Sequence, residues 1–235
     1  MKAMKRISFN QGFTLIELAI VLIILGLLIT GLLVPLTEQA NYKRRTETTI
    51  LLAEAKQALL GYTLVNQHMP CPDITSGGDG SANNTANDGV EDFDPATGSC
   101  RSQGGNLPWA TLSLVETDAW GTPLTYRVAS AFSDRSPLVV FDLLDNGSVR
   151  ICNQAACNAP RLTDTAVAAI VSYGANRGIC AGTCADEAEN NDGDANFVSH
   201  AQADSSAAGG EFDDQVVWLS PNVLFNAMVS AAQLP

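Results

Sequence analysis

Residues 18–37, LAIVLIILGLLITGLLVPLT, form an uncharged and almost wholly apolar stretch. As a helix, residues 18–36 would span about 28 Å at 1.5 Å per residue, close to the hydrocarbon thickness of a bilayer. A chain with such a run must give it to lipid or to other apolar helices. A cleaved secretory signal is a poor fit. The run is longer than the usual apolar core of one, and no small-x-small cleavage site follows before Glu38. An ordinary signal anchor leaves Glu17 unexplained, because a carboxylate at the head of a span is costly and usually has a partner. Three basic residues lie close on each side, Lys2, Lys5 and Arg6 before and Lys43, Arg44 and Arg45 after, so charge does not fix the orientation.

The helical pattern continues past Pro35 but becomes amphipathic. Leu51, Ala55, Ala58, Tyr62 and Val65 fall on one stripe. The reading is one long helix over residues 13–66, loosened near Pro35, with a transmembrane segment at about 13–36. His68-Met-Pro-Cys-Pro72 ends it. Residues 76–105, rich in Gly, Asn, Asp and Ser, read as a long loop. Strands are expected at 123–129, with Leu124, Tyr126 and Val128 on one face, and at 138–144 and 148–152 around a hairpin turn at Asp145-Asn146-Gly147. Further strands are expected at 167–173 and 215–219. Ser220-Pro221 opens a last helix to about residue 232, with Leu224, Ala227, Met228 and Ala231 inward. The fold class is α+β: the second half of the long helix packed on a small antiparallel sheet, with disulfide-tied loops and a short C-terminal helix. Residues 67–235 form the globular head.

The formal net charge is −12, and after Lys56 six arginines face twenty-one acids. A head so acidic does not seek nucleic acid. Six cysteines, at 71, 100, 152, 157, 180 and 184, all follow the apolar run. An even number on one side of a span points to disulfides in an oxidising compartment. The expected pairs are Cys71–Cys100, Cys152–Cys157 and Cys180–Cys184. A zinc site of Cys152, Cys157, Cys180 and Cys184 is the alternative. The two histidines, His68 and His200, are far apart, and no nucleophile elbow, phosphate loop or dinucleotide fingerprint is present, so no enzyme is expected.

The basic segment 1–12 followed by Gly12-Phe13-Thr14-Leu15-Ile16-Glu17 and the apolar helix resembles the processing site of type IV pilins and of the pseudopilins of type II secretion. The resemblance implies a leader, residues 1–12, cut after Gly12 by a prepilin peptidase, with methylation of the new amine of Phe13. It implies a single pass through the inner membrane, leader inside and head in the periplasm or an extracellular filament. Partners would be other pilin or pseudopilin subunits and an inner-membrane assembly platform. Glu17 would pair with the Phe13 amine of a neighbour, a bond that removes the cost of burying the carboxylate and sets register.

Three head stretches also resemble major pseudopilins: residues 118–126 (DAWGTPLTY), 172–178 (SYGANRG) and 212–218 (FDDQVVW). Trp120 and Trp218 are read as core. By this resemblance Asn176, Asp213 and Asp214 are candidate calcium ligands, the ion being optional, with Asn176 in place of an aspartate; the acids Asp186, Glu187, Glu189, Asp192 and Asp194 lie on the intervening loop. The implied function is a structural filament subunit. The alternatives are a minor, tip-located binding or adhesion pilin and a membrane-tethered periplasmic protein that never polymerises.

Overall fold

The computed structural model describes residues 14–81, 83–135, 145–158, 161–179 and 184–233, with the side chains of residues 29–36 left out. The chain forms two compact units, Met1–Lys43 and Arg44–Pro235.

Helix α1 runs from Leu15 to Asn66, its backbone helical through Pro35. In the first unit its described apolar side chains, including Leu15, Ile16, Leu22 and Leu27, are exposed. Among the described residues no helix is long and apolar enough to cross a membrane; the described side chains of the apolar run stop at residue 28 and resume at residue 37.

In the second unit α1 buries Thr48, Leu52, Ala55, Leu59, Leu60 and Thr63. This corrects the expected stripe, which shares only Ala55 with the buried face. Val65 is 81% exposed. The two threonines hid the true face, and each has a hydrogen-bond partner, Thr63 within the helix and Thr48 across the fold. Thr63 Oγ1 donates to Leu59 O at 2.7 Å, and Thr48 Oγ1 accepts from the Ala119 N–H at 3.3 Å. The helix ends where Gln67 turns left-handed (φ 62°).

The main sheet is antiparallel, in the order β3-β4-β7-β9. β3 is Gly104–Asn106, β4 Thr125–Val128, β7 Ala168–Ser172 and β9 Gln215–Leu219. Leu124, Tyr126 and Val128 are buried on one face, as their alternation predicts. β7 is buried at all five positions because it is covered on both sides. Ala168 and Ile170 join the core formed with α1, α3 (Ser130–Ser133) and α5 (Pro221–Ser230). Ala169 and Val171 join a second core with Val149, Ile151 and Phe197.

That second core lies against a three-stranded mixed sheet, β6-β5-β8, made of Arg161–Ala166, Val149–Cys152 and Asn196–Val198. β5 pairs antiparallel with β6 and parallel with β8. The single small antiparallel sheet expected from the sequence is therefore divided, among the described residues, into a four-stranded antiparallel sheet and a three-stranded mixed one. The first arm of the expected hairpin, 138–144, lies outside the described residues. α5 opens at Pro221 after Ser220, as read, and buries Leu224, Phe225 and Met228, whereas Ala231 is exposed.

The long loop is more ordered than its composition suggests. It holds a two-stranded hairpin, β1 (Gly78–Ser81) with β2 (Asn84–Thr85), and a short helix, α2 (Trp109–Leu112), follows β3. Buried carboxylates organise it. Asp73 accepts from the N–H groups of Asn87 (2.8 Å) and Gly89 (2.9 Å), and Asp92 from those of Thr85 (3.0 Å) and Ile74 (2.8 Å). Glu91 accepts from Tyr62 Oη at 2.7 Å and the Cys71 N–H at 3.0 Å, and pairs with Arg135, which lies over the Phe93 ring. Burial, then the bond to Glu91, pushes the Tyr62 hydroxyl well up.

Cys71–Cys100 and Cys152–Cys157 are disulfides, as expected, and Cys184 is also disulfide-bonded. Cys152, Cys157 and Cys184, three of the four sulfurs of the alternative zinc site, are in disulfides and so are not thiolate ligands. Cys180 lies outside the described residues.

Candidate functional site

At the chain's start, Gly12 and Phe13 lie outside the described residues. Glu17 is in the first turn of α1 and exposed. Its N–H donates to Thr14 Oγ1 at 3.3 Å, so Thr14 caps the helix and Glu17 stands three residues on. Thr-x-x-Glu at this place is the capping-box spacing, a signal present in the sequence itself. A carboxylate in the first turn is also favoured by the helix dipole.

In the second unit the three head stretches noted in the sequence meet in space. Asp118 Oδ1 accepts from the Trp120 and Thr122 N–H groups, both at 2.9 Å, closing the Asp-Ala-Trp-Gly-Thr turn. Its other oxygen accepts from Ser172 Oγ at 2.6 Å, which ties the first stretch to the second. Asp213 Oδ2 accepts from the Ala175 N–H at 2.8 Å and ties the second to the third. Gly174 (φ 64°) must be glycine, since a Cβ there would strike the Asp213 carboxylate. Trp120 and Trp218 are half-buried rather than core, Trp218 packing on the second core.

Beside this junction, Glu187, Asp213 and Asp214 bring carboxylate oxygens within 4.8 Å of one another, and all three residues are buried. Helix α4 (Ala185–Asn190) places Glu187. The sequence held a signal for it, since Ala-Asp-Glu-Ala-Glu is good helix-forming sequence. The helix separates acids that the sequence leaves undivided. Asp186 and Glu187 turn inward, and Asp186 binds the Ala155 N–H at 2.7 Å and His200 Nε2 at 3.1 Å.

Asn176 is near the cluster but engaged. Its Nδ2 donates to both oxygens of Glu187, at 2.9 and 2.8 Å, and its Oδ1 accepts from the Gly178 N–H at 2.9 Å. Its amide thus braces Glu187. Glu187 also accepts from the Asp213 N–H at 2.9 Å, and Asp214 Oδ2 from Asn190 Nδ2 at 2.7 Å. Asp213 Oδ1 and Asp214 Oδ1 are buried with no hydrogen-bond partner among the described residues. Burial, the largest cause in each case, raises all three carboxyls, with Asp214 pushed up to about 8. Three such groups cannot all stay ionised without a proton or a cation among them. The donor set is all oxygen, which suits a hard cation such as calcium and not a thiophilic metal.

Residues 7–33 match the prokaryotic N-terminal methylation motif. The chain carries a prepilin-type processing signal. The match supports a type IV pilin-like or pseudopilin-like protein, membrane-anchored and processed at its N-terminus. The prepilin-type motif implies cleavage by a prepilin peptidase and assembly with other pilins. It spans Gly12, Phe13 and Glu17 and ends before the head. No curated protein and no solved structure matches the chain.

Proposed function

We propose that the chain is a structural subunit of a type IV pilus-like or type II secretion pseudopilus filament, cut between Gly12 and Phe13 and assembled through α1. The methylation motif carries this reading. The exposed apolar side chains between Leu15 and Leu28 support it, because a surface of that kind needs lipid or neighbouring helices to cover it. In the membrane the apolar run 13–36 anchors the precursor, with the leader cytoplasmic and the head outside. In the filament the same helices pack together, and Glu17 pairs with the Phe13 amine of the next subunit. The capping geometry leaves that role open to test, because Thr14 caps through its own hydroxyl.

Glu17→Leu separates assembly from insertion. Removing a charge lowers the cost of burial, so membrane-fraction levels should match wild type while recovery in sheared filaments falls at least about tenfold, the loss of one desolvated ion pair. Wild-type incorporation of Glu17→Leu would contradict the assembly role.

We further propose that Glu187, Asp213 and Asp214 hold a calcium ion in the head, with Asn176 orienting Glu187 rather than binding the metal. The two buried carboxylate oxygens without a hydrogen-bond partner among the described residues carry this proposal.

A further inference from the structure

A cleft of about 410 Å³ opens between the β3–β4 side of the main sheet and the segment that follows α4. Its volume falls within the range of small-molecule sites. Thr125 and Arg127 of β4 line it, with Tyr173 and Arg177 after β7, Asn191 after α4, and Phe197 of β8. It adjoins the carboxylate cluster through Asn190, which lines the cleft and bonds Asp214, and none of the residues lining it belongs to α1.

The arginines are its unusual feature. After Lys56 the chain has six arginines against twenty-one acids, and two of the six line this one cleft. Neither is ion-paired to a carboxylate among the described residues; each donates to a neutral backbone carbonyl. Arg127 Nη1 donates to Gly193 O at 2.8 Å, and Arg177 Nη2 to Trp120 O at 3.4 Å. A guanidinium has five N–H donors in a planar fork, so most of the donors on both side chains remain for a ligand. Burial pulls the Arg127 guanidinium below its ordinary value, so an anion reaching it would meet a partly desolvated charge.

The local backbone is shaped around both side chains. A Cβ at Gly104 would come 3.0 Å from Arg127 Nη1, so glycine there gives the guanidinium room over β3. Arg177 has a left-handed backbone (φ 60°) in a turn flanked by Gly174 and Gly178. Glycine would fit that conformation at lower cost. Arg177 therefore brings its guanidinium to the cleft from a backbone conformation that is costly for a side chain of its length.

The remaining lining decides the ligand class. Tyr173 and Phe197 are buried in the second core and form apolar wall beneath the arginines. Asp192 and Asp194 act on Arg127 from nearby, but their oxygens are held in their own turn: Asp192 Oδ1 by the Asp194 N–H, and both Asp194 oxygens by Asn196. They offset part of the positive charge, so a singly charged carboxylate suits the cleft better than a doubly charged phosphate. We propose that this cleft binds a small organic carboxylate, with Arg127 and Arg177 as its anion contacts.

Calorimetric titration of the full chain in detergent micelles tests this. The probes are glucuronate and benzoate, their neutral counterparts glucose and benzamide, and inorganic phosphate. At least one carboxylate should bind saturably, more tightly than its neutral counterpart and than phosphate. Arg127→Gln and Arg177→Gly should each weaken it at least about tenfold, the effect of one charge-assisted hydrogen bond. Arg150→Gln, an exposed arginine outside the cleft, should change nothing. Arg177→Gly also guards against misfolding as the explanation, because relief of the backbone should leave its melting temperature equal to or above wild type. The proposal is overturned if neither carboxylate saturates up to about 10 mM, too weak for a site with two guanidinium contacts. It is equally overturned if the neutral probes or phosphate bind as well, or if Arg177→Gly binds like wild type.

Discussion

Replacing Cys71 and Cys100 with serine should lower the stability of the folded chain by roughly 3–4 kcal/mol, close to twice the loss from opening Cys152–Cys157. The two bridges close loops with sequence separations of 29 and 5 residues. Loop-closure entropy grows with the logarithm of loop length, which gives about 3.6 kcal/mol for the longer and about 2 kcal/mol for the shorter. Local structure adds to the first. Cys71 is fully buried, its N–H is held by Glu91, and Asp73 pairs with Asn106 just beyond it. The bridge therefore fixes the end of α1 to a loop with few apolar residues of its own. Denaturant midpoints of the two double-serine variants, measured on the full chain in detergent, check the ranking. A larger loss from Cys152→Ser/Cys157→Ser would show that hydrogen bonding through Asp73, Glu91 and Asp92 already holds the long loop closed.

The calcium proposal predicts a large effect that depends on pH. Asp214 is pushed up to about 8 in the fold against about 3.9 in an unfolded chain, and Asp213 and Glu187 move in the same direction. The folded state thus binds these protons more tightly than the unfolded state. Their stabilising contribution is complete below about pH 4 and is lost as pH rises through about 8. In chelator, the melting temperature should fall between pH 6.5 and 8.5. Two other groups titrate mainly below that window: Asp73, raised to about 6, and His68, which burial lowers. Millimolar calcium should remove the decline, because the cation takes the place of the protons. At a free concentration a hundred times its dissociation constant it adds about 2.7 kcal/mol, or roughly 5–10 °C in a chain of this length. The gain should be greater at pH 8 than at pH 6. Asp214→Asn should flatten the pH dependence and abolish the calcium response together. Identical melts with calcium and with chelator at pH 8 would remove the ion from this account.

What could be read in the sequence followed from how strongly each element is patterned. α1, β4, β7 and β9 were legible because long apolar runs or clean alternation leave few other structures. The phase of α1 was not, because Thr48 and Thr63 are buried with their hydroxyls bonded and do not look like core residues. In the second sheet β5 follows the strand expected at 148–152, but β6 and β8 were illegible for a related reason. Arg161–Ala166 reads RLTDTA, Asn196–Val198 has three residues, and the register of both depends on long-range pairing with β5. At the carboxylate cluster the sequence pointed to Asp213 and Asp214, but Glu187 was one acid among five on a loop. Only the short α4 distinguishes it, by turning it toward the Asp-Asp pair while Asn176 holds its carboxylate.

The central claim is that this chain is made as a prepilin and processed at the Gly12–Phe13 junction. Intact-mass measurement on protein isolated from its native host tests it most directly. The account predicts a mature chain starting at Phe13 with one added methyl group, and retention of the leader when Gly12 is replaced by a bulky residue such as leucine. A mature N-terminus at any other residue, or wild-type processing of Gly12→Leu, would contradict it.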